Sequence, residues 1–287
     1  MTFIWSPRLC LSAAPKAIYA KGPKMEIIDS HTHAYPEKVV ARAKENLQQS
    51  FSREMITMPV LDNLYKYMDD AGISKSVVAS VASRPDQVIS INDWLFSIKD
   101  KRIIPFAAIH PDFQNYKEEL KRIKDNACGV KLQSEFQLFF VDEERAFPMY
   151  GELEKLGIPV LFHCGVELSS KSKEVRSSPE RILNVMNKFP GLKIIGAHMG
   201  GFLMWEEALE KLAGKNIYFD TSESIRHMPL ELLNKFFAKH GFDKIFFGSD
   251  FPLNVPKKEV EALKLLTISS ENKEKIFAKN IKNLLKI

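Results

Sequence analysis

The sequence predicts an α/β protein built as a single (β/α)8 TIM barrel with a short N-terminal extension. Three observations predict it. Eight short β-branched runs punctuate the chain, segments with helical spacing separate them, and 287 residues suit one barrel of about 250 residues plus a leader. Strands that alternate with helices pair in parallel, because each right-handed crossover returns the chain to the same end of the sheet. Near-continuous apolar strands such as IIPFAAI favour a closed barrel over an open sheet.

The expected strands are Met25 to Asp29, Lys75 to Val81, Ile103 to Ile109, Ala127 to Leu132, Ile158 to His163, Leu192 to His198, Asn216 to Asp220 and Lys244 to Ser249. Between the first two, Leu61, Leu64, Tyr65 and Met68 recur at helical spacing, and Gly72 offers the left-handed residue that ends a helix. Ile276, Phe277, Ile281, Leu284 and Leu285 mark a last helix. The connection from Ser30 to Ser74 has room for two helices, and the polar stretch Gly165 to Ser178 is long enough to cover the barrel mouth.

Composition excludes several classes. No apolar run approaches the roughly 18 residues of a membrane span, so no membrane partner is expected. The net charge of +5 owes most to residues 1–24, where Arg8, Lys16, Lys21 and Lys24 face no acidic residue. The remainder is close to balanced and gives no nucleic-acid surface. Residues 1–24 read as a disordered extension or an upstream start rather than a secretory signal, because the apolar stretch from Leu9 to Ala14 is short and closed by Pro15 and Lys16. Cys10, Cys128 and Cys164 show no paired spacing, which suits a reducing, cytoplasmic setting. Residues 25–287 form the expected barrel domain.

Position distinguishes the histidines. His31 and His33 follow the first expected strand, His163 ends the fifth, His198 ends the sixth and Asp250 follows the eighth. Barrel enzymes build their sites where those carboxyl ends converge. Residues two apart on an extended segment share a side, so His31 and His33 can face one ion. With His163 and Asp250 they make a three-nitrogen, one-oxygen set suited to one divalent metal, zinc first, with manganese, iron or cobalt as alternatives.

The stretches IIDSHTH (Ile27 to His33), GVKL (Gly129 to Leu132), GIPVLFHCG (Gly157 to Gly165), IIGAHMGG (Ile194 to Gly201), NIYFDTS (Asn216 to Ser222) and IFFGSDFP (Ile245 to Pro252) resemble, in order, the amidohydrolase-2 family. The resemblance points to the branch that includes aminocarboxymuconate semialdehyde decarboxylase and related hydrolases. It implies His31, His33, His163 and Asp250 as metal ligands, His198 as the catalytic histidine beside the metal, and a homodimer as a possible assembly. Many decarboxylases of that branch carry an acidic residue where this chain has His31.

The expected reaction is hydrolysis of a small organic amide, ester or lactone by metal-activated water, with Asp250 also accepting a proton from that water and His198 acting as base or oxyanion donor. The alternative is non-oxidative decarboxylation of a small, aromatic or muconate-like acid on the same scaffold. Lys131, at the end of strand four, reads as a charged lysine near the mouth, with a carboxylated lysine bridging two metals as the other option. His110 reads as a turn residue, Arg84 as either a solvated loop residue or a carboxylate binder, Cys164 as packing, and His227 and His240 as surface residues.

Overall fold

The computed structural model describes residues 25–40, 42, 55–168, 170 and 174–287. Within them, eight parallel strands run β1 (Ile28–Thr32), β2 (Lys75–Ala79), β3 (Ile103–Ala108), β4 (Gly129–Leu132), β5 (Val160–Phe162), β6 (Ile194–Gly196), β7 (Tyr218–Asp220) and β8 (Ile245–Phe246). They pair strictly in chain order, β1 to β8. The seam is closed by Ser30 N–H donating to Phe247 O at 2.8 Å, His33 N–H to Phe251 O at 2.7 Å and Asp250 N–H to His31 O at 2.9 Å. The expected barrel is therefore observed. Residues 1–24, expected as an extension, lie outside the described residues.

Two apolar layers follow from the alternation of side chains along each strand. The barrel interior holds Ile28, Val77, Ile104, Phe106, Leu161, Ile195 and Phe246, and Ala278, Ile281 and Leu284 of the last helical segment pack against that set. The larger layer joins the outward faces of the strands to the surrounding helices, through residues such as Val78, Leu120, Val160, Ile182 and Phe219.

Most strands are shorter than the sequence suggests, because flanking apolar residues are buried without joining the ladder. β1 is displaced instead, starting at Ile28 and including Asp29, Ser30, His31 and Thr32. Its polar residues conceal a strand that is nonetheless buried throughout. The helix Leu61–Ala71 ends as expected at Gly72, with φ 70°. Of the other helix expected before it, residues 37–40 are helical, and much of the rest lies outside the described residues.

The final helix runs from Ser270 to Leu285 with a wider turn over Lys275–Lys279. That widening has a local cause: the carbonyl of Ile276 accepts a hydrogen bond from Phe247 N–H at 2.8 Å, so the helix gives up a regular internal bond there. Asn280 Nδ2 donates to Phe242 O at 2.6 Å and Ile245 O at 2.9 Å, tying the same helix to the start of β8 and the loop before it.

His240 corrects a surface assignment. It ends the helix Leu230–His240, its ring lies 4.6 Å from that of Phe219, and its Nδ1 accepts from Gly214 N–H at 3.0 Å. Burial, with Lys244 nearby, pushes its pKa down to about 4. A folded pKa below the unfolded value of about 6.5 means that the unfolded chain binds more protons between the two. Its stabilising contribution is thus complete above about pH 6.5 and is lost as pH falls toward 4. Thermal unfolding of His240→Asn is expected to differ most from wild type above pH 6.5, with the gap closing by pH 4.5; a gap that widens on acidification would refute the assignment.

Candidate metal centre and active-site cleft

Closure of the barrel decides what meets what. His31 and His33 stand two apart at the end of β1 with ring centroids 5.1 Å apart. The seam bond from Asp250 to His31 places the Asp250 Oδ1 atom 3.6 Å from His31 Nε2 and 3.3 Å from His33 Nε2. Donor atoms of these three residues all lie within 4.8 Å of one another.

His163, directly after β5, stands outside that trio: its Nδ1 is 3.2 Å from His198 Nε2. The His198 ring in turn stacks on His31 at 5.3 Å. All five residues expected from the sequence are buried at one end of the barrel.

The hydrogen bonds around the rings set their tautomers. His33 Nδ1 donates to Ala79 O at 2.9 Å, which leaves Nε2 with a lone pair toward Asp250. His31 Nδ1 donates to Asp220 Oδ2 at 3.0 Å, again directing Nε2 inward. His198 Nδ1 lies 3.3 Å from Ser222 O and 2.9 Å from Ser222 Oγ, so with Nδ1 as donor its Nε2 accepts from His163 Nδ1–H. His163 Nε2 then carries a lone pair, and it is buried with no hydrogen-bond partner. Asp250 Oδ2 is buried and unpartnered as well. Buried polar atoms are rarely left unpaired, and inward lone pairs from imidazole and carboxylate are the donors a divalent cation requires. The residues present fit such an ion.

Asp220, at the end of β7, was not singled out in the sequence. Its Oδ1 accepts from His198 N–H at 3.1 Å and Ser222 N–H at 3.0 Å, and also from the Ser222 hydroxyl. His31, His198 and Asp220 form a second group of closely spaced donors, but both Asp220 oxygens are engaged in orienting the neighbouring groups. A carboxylate behind an imidazole fixes the ring and raises its basicity. Only the position of Asp220 at a strand's carboxyl end could have drawn attention to it.

Electrostatics favour neutral imidazoles beside ionised carboxylates. Burial depresses His31 and His163, Lys131 adding to the effect in both, and burial pushes His198 down to about 4 against the opposing pull of Asp250. Burial alone would raise Asp220 and Asp250. For Asp220, the His31 imidazole and its hydrogen bond outweigh burial and hold the carboxyl at about 2. The surrounding His31, His33 and His198 rings hold Asp250 well below the ordinary carboxylate range.

Lys131, expected as a charged lysine near the mouth, is buried among these groups. It is 2% exposed, in register with Leu161 of β5, and its Nζ lies 3.3 Å from His31 Nε2. Burial pushes its pKa down to about 8.

The remaining candidates separate cleanly. His110 accepts a turn bond from Asp112 N–H at 3.1 Å, as expected. Arg84 is exposed and pairs with Asp86 at 2.9 Å, which makes it the solvated loop residue. Cys164 is fully buried, and burial pushes its thiol up to about 12, in keeping with packing. His227 is exposed.

The His163–His198 pair lines a narrow cleft together with Val166, Leu168, Phe202, Glu167 and Glu223. Glu223, three residues past β7, holds a left-handed backbone at φ 56°; such strain in a residue with a β-carbon concentrates at functional sites. Neither glutamate was anticipated. Among the described residues, no helix is long and apolar enough to cross a membrane.

The electrostatic reading makes a direct prediction. Replacing Lys131 with methionine preserves most of the buried volume but removes the positive charge that depresses His31 and His163. Ring-proton NMR of the metal-free variant is expected to show both imidazoles titrating at higher pH than in wild type; unchanged titration would contradict it.

Comparison with known proteins places this geometry. A family model described as Amidohydrolase matches residues 28–287. No curated protein matches. Among solved structures, 2,6-dihydroxybenzoate decarboxylase from Rhizobium aligns with TM-score 0.68 and 20% identity, covering 91% of this chain and 99% of that one. The 5-carboxyvanillate decarboxylase from Sphingomonas paucimobilis aligns with TM-score 0.72 and 12% identity, covering 92% and 100%. A dihydroxybenzoic acid decarboxylase from Polaromonas sp. JS666, with bound manganese and the inhibitor 2-nitroresorcinol, aligns with TM-score 0.68 and 18% identity, covering 91% and 97%.

These comparisons correct the expectation of amide, ester or lactone hydrolysis. The enzymes named remove a carboxyl group, and a buried cluster of imidazoles and carboxylates does not by itself point to hydrolysis. With its model matched from the first strand to the last helix, the chain belongs to the Amidohydrolase family.

Proposed function

We propose that this protein is a metal-dependent carboxy-lyase that removes CO2 from a small hydroxylated aromatic acid. The observation that carries the reading is the alignment of nine tenths of the chain with decarboxylases of such acids, in a molecule whose His163 and His198 line a cleft with Val166, Leu168 and Phe202.

His31, His33, His163 and Asp250 would hold the ion, and manganese is the first candidate because three of the related decarboxylase complexes contain it. Bound there, a divalent cation supplies a fixed positive charge that draws in and orients a carboxylate. Asp220 keeps His31 turned toward that position through the 3.0 Å bond to Nδ1. Lys131, 3.3 Å from His31 Nε2, adds buried positive charge that compensates an entering anion.

His198 supplies the proton in this reading. Buried and neutral in the free protein, it gains proton affinity as a substrate carboxylate enters, since a nearby negative charge favours the imidazolium. Its Nε2–H then protonates the ring carbon, the bond from that carbon to the carboxylate breaks, the electron pair returns to the ring and CO2 leaves. Solvent restores the proton. Val166, Leu168 and Phe202 exclude bulk water from the face of the ring.

The manganese-loaded protein is expected to release one CO2 per molecule of hydroxybenzoate consumed and, in D2O, to place deuterium at the vacated carbon. A panel of hydroxybenzoic acids yielding no CO2 while esters or lactones are cleaved would sink the proposal. His163→Ala is expected to retain less than about a tenth of an equivalent of manganese by elemental analysis. His198→Asn should keep the metal and lose roughly 10²- to 10⁴-fold in kcat, the usual range for a positioned acid–base group.

A further inference from the structure

Two glutamines follow β4, and the structure uses them differently. Gln137 commits both ends of its amide to the backbone: its Oε1 accepts from Gln133 N–H at 2.9 Å, and its Nε2 donates to Ala82 O at 3.0 Å and Ile109 O at 2.7 Å. It thereby ties the segments after β2 and β3 to the end of β4. Gln133 commits only one end. It is 4% exposed, its Nε2 donates to Glu167 Oε2 at 3.4 Å, and its Oε1 is buried with no hydrogen-bond partner.

Register says where that side chain points. Residues two apart on an extended chain share a side, and Gln133 is extended, with φ −129° and ψ 87°. It therefore stands on the side of Lys131, whose Nζ reaches His31 Nε2, and nearer the carboxyl end of the barrel. Beside it, His163 N–H donates to Leu132 O at 2.9 Å, so the side chain emerges next to a candidate metal ligand. Glu167, its partner, lines the cleft with His163 and His198. A carboxylate accepts hydrogen bonds and an amide NH2 group donates them, so this partner fixes which end of the Gln133 amide is the open one. Buried acceptors are seldom left unpaired. One held at the carboxyl end of a barrel strand, where barrel enzymes bind their substrates, is matched to a donor that arrives with the ligand.

We propose that Gln133 is a specificity-determining residue whose Oε1 accepts a hydrogen bond from a hydroxyl group of the bound aromatic acid. An amide oxygen pairs with a donor and repels a carboxylate oxygen, so the hydroxyl is the part of such a substrate that it selects. The substrate carboxylate goes instead to the ion and to the positive charge of Lys131. The class of ligand rests on the decarboxylase reading. The contact can be measured without turnover.

Calorimetric titration of the manganese-loaded protein with 2-nitroresorcinol and with 1,3-difluoro-2-nitrobenzene, in which fluorine takes the place of each hydroxyl, tests the contact. Wild type is expected to prefer the phenol. Hydroxyls also reach metal ions, so the decisive quantity is the change in that preference when Gln133 is replaced. In Gln133→Met, which keeps the length of the side chain and removes the amide, the preference should fall about fivefold or more, as loss of a buried hydrogen bond implies. A smaller fall overturns the proposal, as does failure of wild type to prefer the phenol. Loss of manganese from the variant would place Gln133 in the metal site and overturn it too. Gln133→Asn, which withdraws the amide by one methylene, provides the same comparison if the methionine variant does not fold. With 2,6-dihydroxybenzoate as substrate, the loss in Gln133→Met should appear in KM more than in kcat. Absence of CO2 from every acid would defeat the reaction assignment, while the change in binding preference would still decide the role of Gln133.

Discussion

The seam between β1 and β8 is the constraint on which the site depends. Three backbone hydrogen bonds close the barrel there, and one of them joins Asp250 to His31. The same short distance that completes the sheet brings a carboxylate against two imidazoles. A barrel left open at this edge would separate Asp250 from His31 and His33 and so lose the candidate metal centre. The site is therefore a property of closure more than of any single motif.

Around that seam, second-row groups do much of the positioning. Asp220 receives hydrogen bonds from the side chain of His31 and from the backbones of His198 and Ser222, linking β1, β6 and β7 through one carboxylate. Each histidine whose outer nitrogen is tied to a carbonyl or carboxylate presents the other nitrogen inward. Burial keeps the imidazoles neutral, the state in which they can bind a cation, and the carboxylates remain ionised because those imidazoles and hydroxyls surround them. Lys131 sits among these groups as the one ammonium near the cluster among the described residues, which fits a pocket that receives anions.

The fold was legible because its signal is repeated. Eight β-branched runs alternating with helical spacing leave little choice of architecture, and a misjudged strand end does not alter it. β1 was misplaced because Asp29, Ser30, His31 and Thr32 look like a loop by composition; they form a strand whose polarity serves the site. The positions of His31, His33, His163, His198 and Asp250 at strand ends were readable, since the barrel sends all such ends to one face. Asp220 and Glu223 were not, because a carboxylate after a strand resembles any loop residue until its partners are known, and those partners lie far away in sequence. Lys131 was placed near the mouth, but its burial beside His31 follows from contacts that composition does not disclose. The reaction itself was unreadable from the donor set, which serves hydrolysis and decarboxylation alike.

The packing at the other end of the barrel has its own consequence. Ile28, Ile104, Phe106 and Phe246 fill the interior, and Ala278, Ile281 and Leu284 pack against them, so among the described residues the barrel axis is plugged at the rear. Under the proposed decarboxylation, substrate entry, product departure, escape of CO2 and resupply of protons to His198 would all share one doorway. Traffic through that doorway would be sequential: a retained aromatic product would block the solvent route by which the imidazole is recharged, and turnover would be paced by clearance of the cleft as well as by chemistry.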